Sequence, residues 1–197
     1  MKKYELTDET LEVKTKDGRM ITLHRIRALR NFRNIHKGDL GGFIESEDNL
    51  SHNGNCWVSL NAQVFENAHI YGNARVYGKA RVYGNARVYG NAQIYENAQI
   101  FDDAAVFDNA QIFENATIWE NAEVSEYAKV FGKTQVYDNA KVYGHAELSD
   151  NALVFGSSRV YGMACVIDDA VIKDATIGDK VVIDQYNVVD GDKSLNL

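Results

Sequence analysis

Small and aliphatic residues alternate with polar and aromatic residues along most of the chain, in a unit of six. The unit reads Asn-Ala-x-Val/Ile-Tyr/Phe-Gly/Asp/Glu, and it runs with almost no break from Asn55 to Asp168. Because successive side chains of a strand point to opposite faces, the Ala and the aliphatic residue two places later share one side. The pattern therefore predicts short strands with these two residues pointing inward and with the x residue and the aromatic ring pointing outward.

Each unit ends in a corner made by Gly, Asp or Glu followed by Asn. We expect Asn to tolerate a left-handed backbone there, and Gly to fit because it has no Cβ. The chain has no proline, which suits strands that all donate hydrogen bonds to the next coil. Residues 169–173 and 174–178 form units of five instead of six, so we predict one tightened corner near the end.

This pattern resembles the hexapeptide-repeat left-handed β-helix proteins, whose motif is an aliphatic residue followed four places later by a small one. Val64 with Ala68 and Ile70 with Ala74 match that motif, and the resemblance covers more than two thirds of the chain. Segments 38–45 and 54–58 are similar to the YdcK-like branch. The resemblance implies an all-β fold, a single-stranded left-handed parallel β-helix wound as a triangular solenoid with three hexads per coil.

The chain divides into three parts on this pattern. We predict a basic N-terminal cap at 1–37, the solenoid at 38–190 and a polar tail at 191–197. In the cap, two strand-like segments flank Lys16-Asp17-Gly18, which is a hairpin signal. We expect this hairpin to cap the open end of the solenoid, where unpaired strand edges otherwise promote aggregation.

With three hexads per coil, every third hexad stacks on one face, and the outward residues can be sorted by face. The second face is interrupted by Ser59 and Ser149, and the third by Ser125, whereas the first carries an unbroken aromatic ladder with Arg81 as the one charged neighbour. The ladder residues are Phe65, Tyr83, Phe101, Trp119, Tyr137 and Phe155. A long, nearly uncharged apolar face is typical of association surfaces. We therefore predict a homo-oligomer, a dimer or trimer, with a partner protein as the alternative occupant.

The net charge of −7 conceals a basic N-terminal end. Residues 1–37 carry ten Lys and Arg against five Asp and Glu, a composition that suits phosphate groups, an acidic protein surface or a solvated face. The acidic remainder is also compatible with a decoy or partner-binding protein of phage or mobile-element origin. Arg75, Arg81 and Arg87 fall in successive hexads and point in three directions, which disfavours nucleic-acid binding.

Catalysis is the main alternative to a scaffold. Many proteins of the resembled family are acyltransferases that use acetyl-CoA or a related thioester at a subunit boundary, with a histidine as general base. His69 at an outward position and His145 at a corner are the candidate bases here. The repeats contain no inserted loop to build an acceptor pocket, and no zinc-type Cys/His spacing or phosphate loop occurs. We therefore favour a rigid scaffold or binding module without metal or cofactor, and leave acetyl-CoA to the alternative.

The sequence predicts a cytoplasmic protein that does not contact a membrane. No stretch approaches the roughly 20 apolar residues of a membrane span. Cys56 and Cys165 are too few for a disulfide scaffold. The repeat places them on the same face about six coils apart, which is ~29 Å at the spacing of β-strands, so we expect no disulfide between them.

Overall fold

The structure is a computed structural model, and it describes residues 2–191 and 194–195. Three longer strands come first: β1 (Tyr4–Lys14), β2 (Met20–Ala28) and β3 (Leu40–Ile44), followed by a 3-10 helical turn at Glu47–Asn49. Strands of two or three residues then recur to the end of the described chain. They are β4 (Trp57–Val58), β5 (Gln63–Val64), β6 (His69–Ile70), β7 (Arg75–Val76), β8 (Arg81–Val82), β9 (Arg87–Val88), β10 (Gln93–Ile94), β11 (Gln99–Ile100), β12 (Ala105–Val106), β13 (Gln111–Ile112), β14 (Thr117–Ile118), β15 (Glu123–Val124), β16 (Lys129–Val130), β17 (Gln135–Val136), β18 (Lys141–Val142), β19 (Glu147–Leu148), β20 (Leu153–Phe155), β21 (Arg159–Val160), β22 (Cys165–Val166), β23 (Val171–Lys173), β24 (Thr176–Ile177), β25 (Val182–Ile183), β26 (Val188–Asp190) and β27 (Ser194–Leu195).

Every third short strand stacks in parallel, which gives three sheets over the described residues. The first has the order β1-β2-β3-β5-β8-β11-β14-β17-β20-β23-β26, the second runs from β4 to β25, and the third from β6 to β27. The hairpin and the solenoid share the first sheet, because β3 pairs antiparallel with β2 and parallel with β5. The predicted triangular coil of parallel strands and the N-terminal hairpin are confirmed.

The register fixes the length of each coil. A coil takes 18 residues where Gln99 pairs with Thr117 and 17 where Arg159 pairs with Thr176. The coil of 17 residues contains a unit of five residues, so the predicted tightened corner is present. β27 pairs with β24, and the third sheet therefore continues beyond residue 190, where we predicted the solenoid to end.

The inward positions form the core. Ala80, Val82, Ala98 and Ile100 are fully buried, as are their equivalents in nearly every coil. Burying an aliphatic side chain of this size contributes about 1.5–3 kcal/mol relative to exposure. Because each coil packs on the coil before and after it, the solenoid is stabilised chiefly by contacts between neighbouring coils.

The corners differ from the prediction in which residue is left-handed. The residue before Asn takes the positive φ, as at Gly72 (67°), Glu96 (56°) and Asp108 (55°). The asparagines stack instead: Asn73 Nδ2 donates to Asn91 Oδ1 at 3.1 Å, one coil away. An amide side chain can donate to one neighbour and accept from the other, so a column of asparagines satisfies itself along the corner.

Thr134 occupies a position where most coils carry the inward Ala. It is fully buried, and its hydroxyl has no hydrogen-bond partner in the described part of the chain. Thr134→Ala is expected to raise the free energy of unfolding by about 1 kcal/mol, because it removes an unsatisfied buried hydroxyl. Urea unfolding measures this change.

Ser158 provides the matched control for Thr134. It occupies the equivalent position in a later coil, but its hydroxyl donates to the Phe155 carbonyl. Ser158→Ala removes a satisfied hydroxyl and should bring no gain in stability. Equal gains from both substitutions would contradict the explanation.

Candidate functional site

The outward rings of the first face form one continuous stack, as the repeat predicts. Adjacent centroids lie 4.4–5.8 Å apart and adjacent planes within 8° from Phe65 to Phe155. Stacked aromatic pairs are worth about 0.5–1.5 kcal/mol beyond the area they bury. The ladder therefore stiffens the solenoid along its length.

Rings also stack on the other two faces, but in shorter runs and beside charged pairs. The second face holds one run from Tyr77 to Phe131 and the ion pair Lys129–Glu147 at 2.7 Å. The third holds Lys141–Glu123 at 2.9 Å. On the first face, the outward strand positions from Gln99 to Val171 carry no charged side chain. The contrast between faces drawn from the sequence is thus present in the structure.

The N-terminal hairpin covers the first rung of the ladder, which the sequence did not predict. Phe65 is fully buried in an apolar cluster with Val13, Leu23 and Phe43. Val13 and Leu23 lie on the hairpin strands, so the hairpin folds over the outer side of the first sheet. Phe65 therefore belongs to the interior of the protomer and is not part of an exposed association surface.

Two cations extend this cover to the next two rungs. The guanidinium carbon of Arg81 lies 5.3 Å from the ring centroid of Tyr83. Lys16 Nζ, at the hairpin turn, lies 5.0 Å from the centroid of Phe101 and 3.3 Å from the carboxylate of Asp102. Cation–π contacts of this kind contribute about 0.5–1 kcal/mol at exposed positions. The rungs beyond the reach of the hairpin are Trp119, Tyr137 and Phe155, and all three are half-buried.

Two arginines of the cap are paired with carboxylates of the cap. Arg27 pairs with Glu5 at 2.5 Å. Arg25 Nε lies 2.8 Å from a Glu9 oxygen, off the line of a hydrogen bond, and its guanidinium carbon is 4.3 Å from the Phe43 centroid. These contacts neutralise two of the arginines that the sequence offered for phosphate binding.

The two histidines proposed as bases are far apart. His69 is exposed on β6 and lies edge-on to Tyr71, with centroids 5.2 Å apart. His145 is exposed at the corner after β18, which is four strands along the third sheet from β6, and it stacks on Tyr127 at 4.9 Å. Each ring packs on a neighbouring ring at the surface, and the structure does not bring the two into one site.

A buried polar cluster closes the N-terminal end of the core, and the repeat gave no sign of it. Lys3 is fully buried, and its Nζ donates to the Cys56 carbonyl at 2.8 Å and to Cys56 Sγ at 3.1 Å. Burial lowers the pKa of the Lys3 amine and raises the pKa of the Cys56 thiol. Tyr4 stacks on His52 at 4.4 Å and donates to the Leu50 carbonyl at 2.7 Å. These side chains bond to one another and to the backbone, so the cluster acts as a plug.

The remaining candidate groups can be placed directly. Cys56 and Cys165 are free thiols; Cys56 directly precedes β4, and Cys165 lies on β22, six strands further along the second sheet of the described chain. Residues 2–191 and 194–195 contain no group of three or more His, Cys, Asp or Glu side chains arranged to hold a metal ion. In the same residues, no helix has the length and apolar character needed to cross a membrane.

Comparison with known families supports the repeat assignment. A YdcK β-solenoid repeat matches residues 68–81, 80–96 and 146–162. No curated protein matches the chain significantly. All three matched segments lie within the stacked coils. The repeat matches and the three-sheeted parallel solenoid agree with a YdcK-like repeat β-solenoid protein.

Proposed function

We propose that this protein is a rigid scaffold that assembles with a second copy of itself through the exposed ladder, defined as Trp119, Tyr137 and Phe155 with the outward strand residues beside them. The observation that carries the proposal is the hairpin. The chain already uses the first rung of the same ladder as a packing surface, since Val13 and Leu23 cover Phe65. Beyond Phe101 the same kind of surface continues without such a cover.

The chemistry of the exposed ladder suits a copy of itself. Its outward strand neighbours are Thr117, Gln135 and Leu153, so these positions bring no charged side chain into the interface. An uncharged surface is complementary in charge to an identical surface, which a two-fold interface requires. The core and the stacked rings hold the ladder in place before contact, so little conformational entropy is lost when two copies meet.

Assembly is tested by the molar mass in solution, measured by light scattering. The wild type is expected at a multiple of the 22.1 kDa chain mass. Trp119→Glu combined with Tyr137→Glu should give a folded protein at 22.1 kDa, because two carboxylates would have to be desolvated at the interface.

Phe113→Glu combined with Phe131→Glu is the matched control. These residues are neighbouring rungs on the second face, with centroids 4.8 Å apart, so the pair changes charge and stacking equally. The control should keep the mass of the wild type. A wild type that is already a single chain, or a control that dissociates as completely as the test variant, would overturn the proposal.

A further inference from the structure

A pocket on the second face lies between the loop after β2 and the first two coils. Its volume is about 220 Å³, and its lining includes Arg33, Asn34, Trp57, Ser59, Arg75 and Tyr77. The loop residues and the coil residues are separated in the sequence, and the fold brings their side chains together. The pocket combines flat apolar walls with two positive charges, which is the composition of a small-ligand site.

One wall of the pocket is an uncovered ring. Tyr77 stacks on Tyr95 with centroids 4.9 Å apart and planes 4° from parallel. One coil earlier, the register position of Tyr77 is held by Ser59, because Val58 pairs with Val76. The stack of rings therefore ends at Tyr77, and its second ring face borders the pocket. A flat ring placed there would continue the stack with the geometry that aromatic pairs prefer.

The positive charges of the pocket come from Arg33 and Arg75. Arg75 Nη2 donates to Asn34 Oδ1 at 2.9 Å, and Arg33 Nη1 donates to the Asn73 carbonyl at 3.2 Å. Both partners are neutral, and no ion pair joins either arginine to a carboxylate in the described part of the chain. Each guanidinium keeps further N–H donors and its full charge for an anion.

Arg33 lines the pocket with its backbone in a left-handed conformation, which costs conformational free energy. Arg33 has φ 48° in a two-residue turn closed by hydrogen bonds of 3.0 and 2.9 Å between Phe32 and Ile35. Phe32 anchors the turn, because it is buried and lies edge-on to Trp57 at 5.3 Å. Glycine is the more favourable residue in this left-handed conformation. Arg33→Gly therefore removes the charge while relieving the backbone.

We propose that the pocket binds a planar aromatic ring that bears a carboxylate or a phosphate. The ring stacks on Tyr77 in the register position of Ser59, and the anionic group is held by Arg33 and Arg75. This site lies on the second face, so it stands independently of assembly through the exposed ladder.

The test is calorimetric titration of the full chain with phenyl phosphate. Cyclohexyl phosphate carries the same charge without a flat ring, and it should bind about three- to tenfold more weakly, the range expected from aromatic stacking. Benzyl alcohol, which has the ring without the charge, should bind more weakly still. Equal affinity for phenyl and cyclohexyl phosphate, or no binding of phenyl phosphate, would overturn the proposal.

Variants separate the two halves of the site. Arg33→Gly and Arg75→Gln should each weaken phenyl phosphate about tenfold, as expected for loss of a charge-assisted contact. Arg87→Gln, the equivalent change on the third face, is the matched control and should bind as the wild type does.

Ser59→Phe keeps both arginines and supplies the missing rung, so it should block binding while the circular dichroism of the solenoid is unchanged. Wild-type affinity in a folded Ser59→Phe protein would overturn the ring position.

Discussion

Gly42→Val is expected to lower the free energy of unfolding by about 3 kcal/mol, at the upper end of the usual cost of overpacking. A Cβ added at Gly42 would lie 2.6 Å from the Ala62 carbonyl oxygen and 2.7 Å from Val58 Cγ1. The Ala62 oxygen cannot move away easily, because it accepts the Phe43 N–H at 2.9 Å. The neighbouring Gly41 is equally confined, with its Cβ position 2.6 Å from the Val58 carbonyl oxygen.

The cost of Gly42→Val is large because β3 joins the cap to the solenoid. This strand pairs with β2 on one side and with β5 on the other. Displacing it would also loosen the hairpin that covers Phe65. In a solenoid each coil contacts only its neighbours, so the damage should remain at the N-terminal end.

Urea unfolding and hydrogen exchange together measure this effect. The amides of β1 to β3 should lose protection in Gly42→Val, while those of β14 to β20 keep it. Gly38→Ala is the control, because its Cβ meets nothing within 4 Å but its φ is 97°; backbone strain should cost it about 1 kcal/mol. A loss as large for Gly38→Ala as for Gly42→Val would show that backbone conformation, not close packing, sets the cost.

The sequence predicted the coil, the strands and the inward residues because these depend on a local pattern repeated many times. The path of the hairpin could not be predicted, since it depends on contacts of Val13 and Leu23 with Phe65 that occur once. The corner was assigned to the wrong residue because Asn tolerates a left-handed backbone but gains more from stacking on the next Asn. A single hexad gives no indication of that second interaction.

The candidate site also combines features that the repeat predicts with features that depend on contacts made only once. The ladder on the first face could be predicted from spacing, but its covered end could not. The pocket at Tyr77 was missed because Arg33 lies in the irregular loop, and Arg75 was interpreted as a solvated charge of the repeat. One signal was available: Ser59 interrupts the ring column of the second face at its first coil. An interruption in a regular column marks a place where the repeat leaves space.

Lys3→Met is expected to change how stability depends on alkaline pH. Burial lowers the pKa of Lys3 below its ordinary 10.5. Between the lowered pKa and 10.5 the unfolded chain binds more protons than the folded protein, so the stability of the wild type rises with pH across that interval. Below the lowered pKa both states are protonated, and the cost of burying the charge is largest and constant.

Methionine has a similar length and no proton to bind, so the variant lacks this dependence. The raised pKa values of Cys56 and Tyr4 lower stability in strongly alkaline solution. The Lys3 amine holds the pKa of Cys56 down, so its removal adds to the alkaline loss in the variant. The stability of Lys3→Met relative to the wild type should therefore fall between pH 7 and pH 10.5. The lost hydrogen bond to the Cys56 carbonyl shifts the difference equally at every pH.

Urea unfolding at a series of pH values measures the difference between Lys3→Met and the wild type. Lys2→Met removes one positive charge at an exposed neighbouring position, where the side chain is 61% exposed and pairs with Glu47, and it should change the alkaline dependence far less. If the Lys3→Met and wild-type curves run parallel from pH 7 to pH 10.5, the Lys3 amine is protonated as readily in the folded protein as in water. The plug at Cys56 would then be open to solvent, and the end of the core would be sealed by the aromatic contacts of Tyr4 and Trp57 instead.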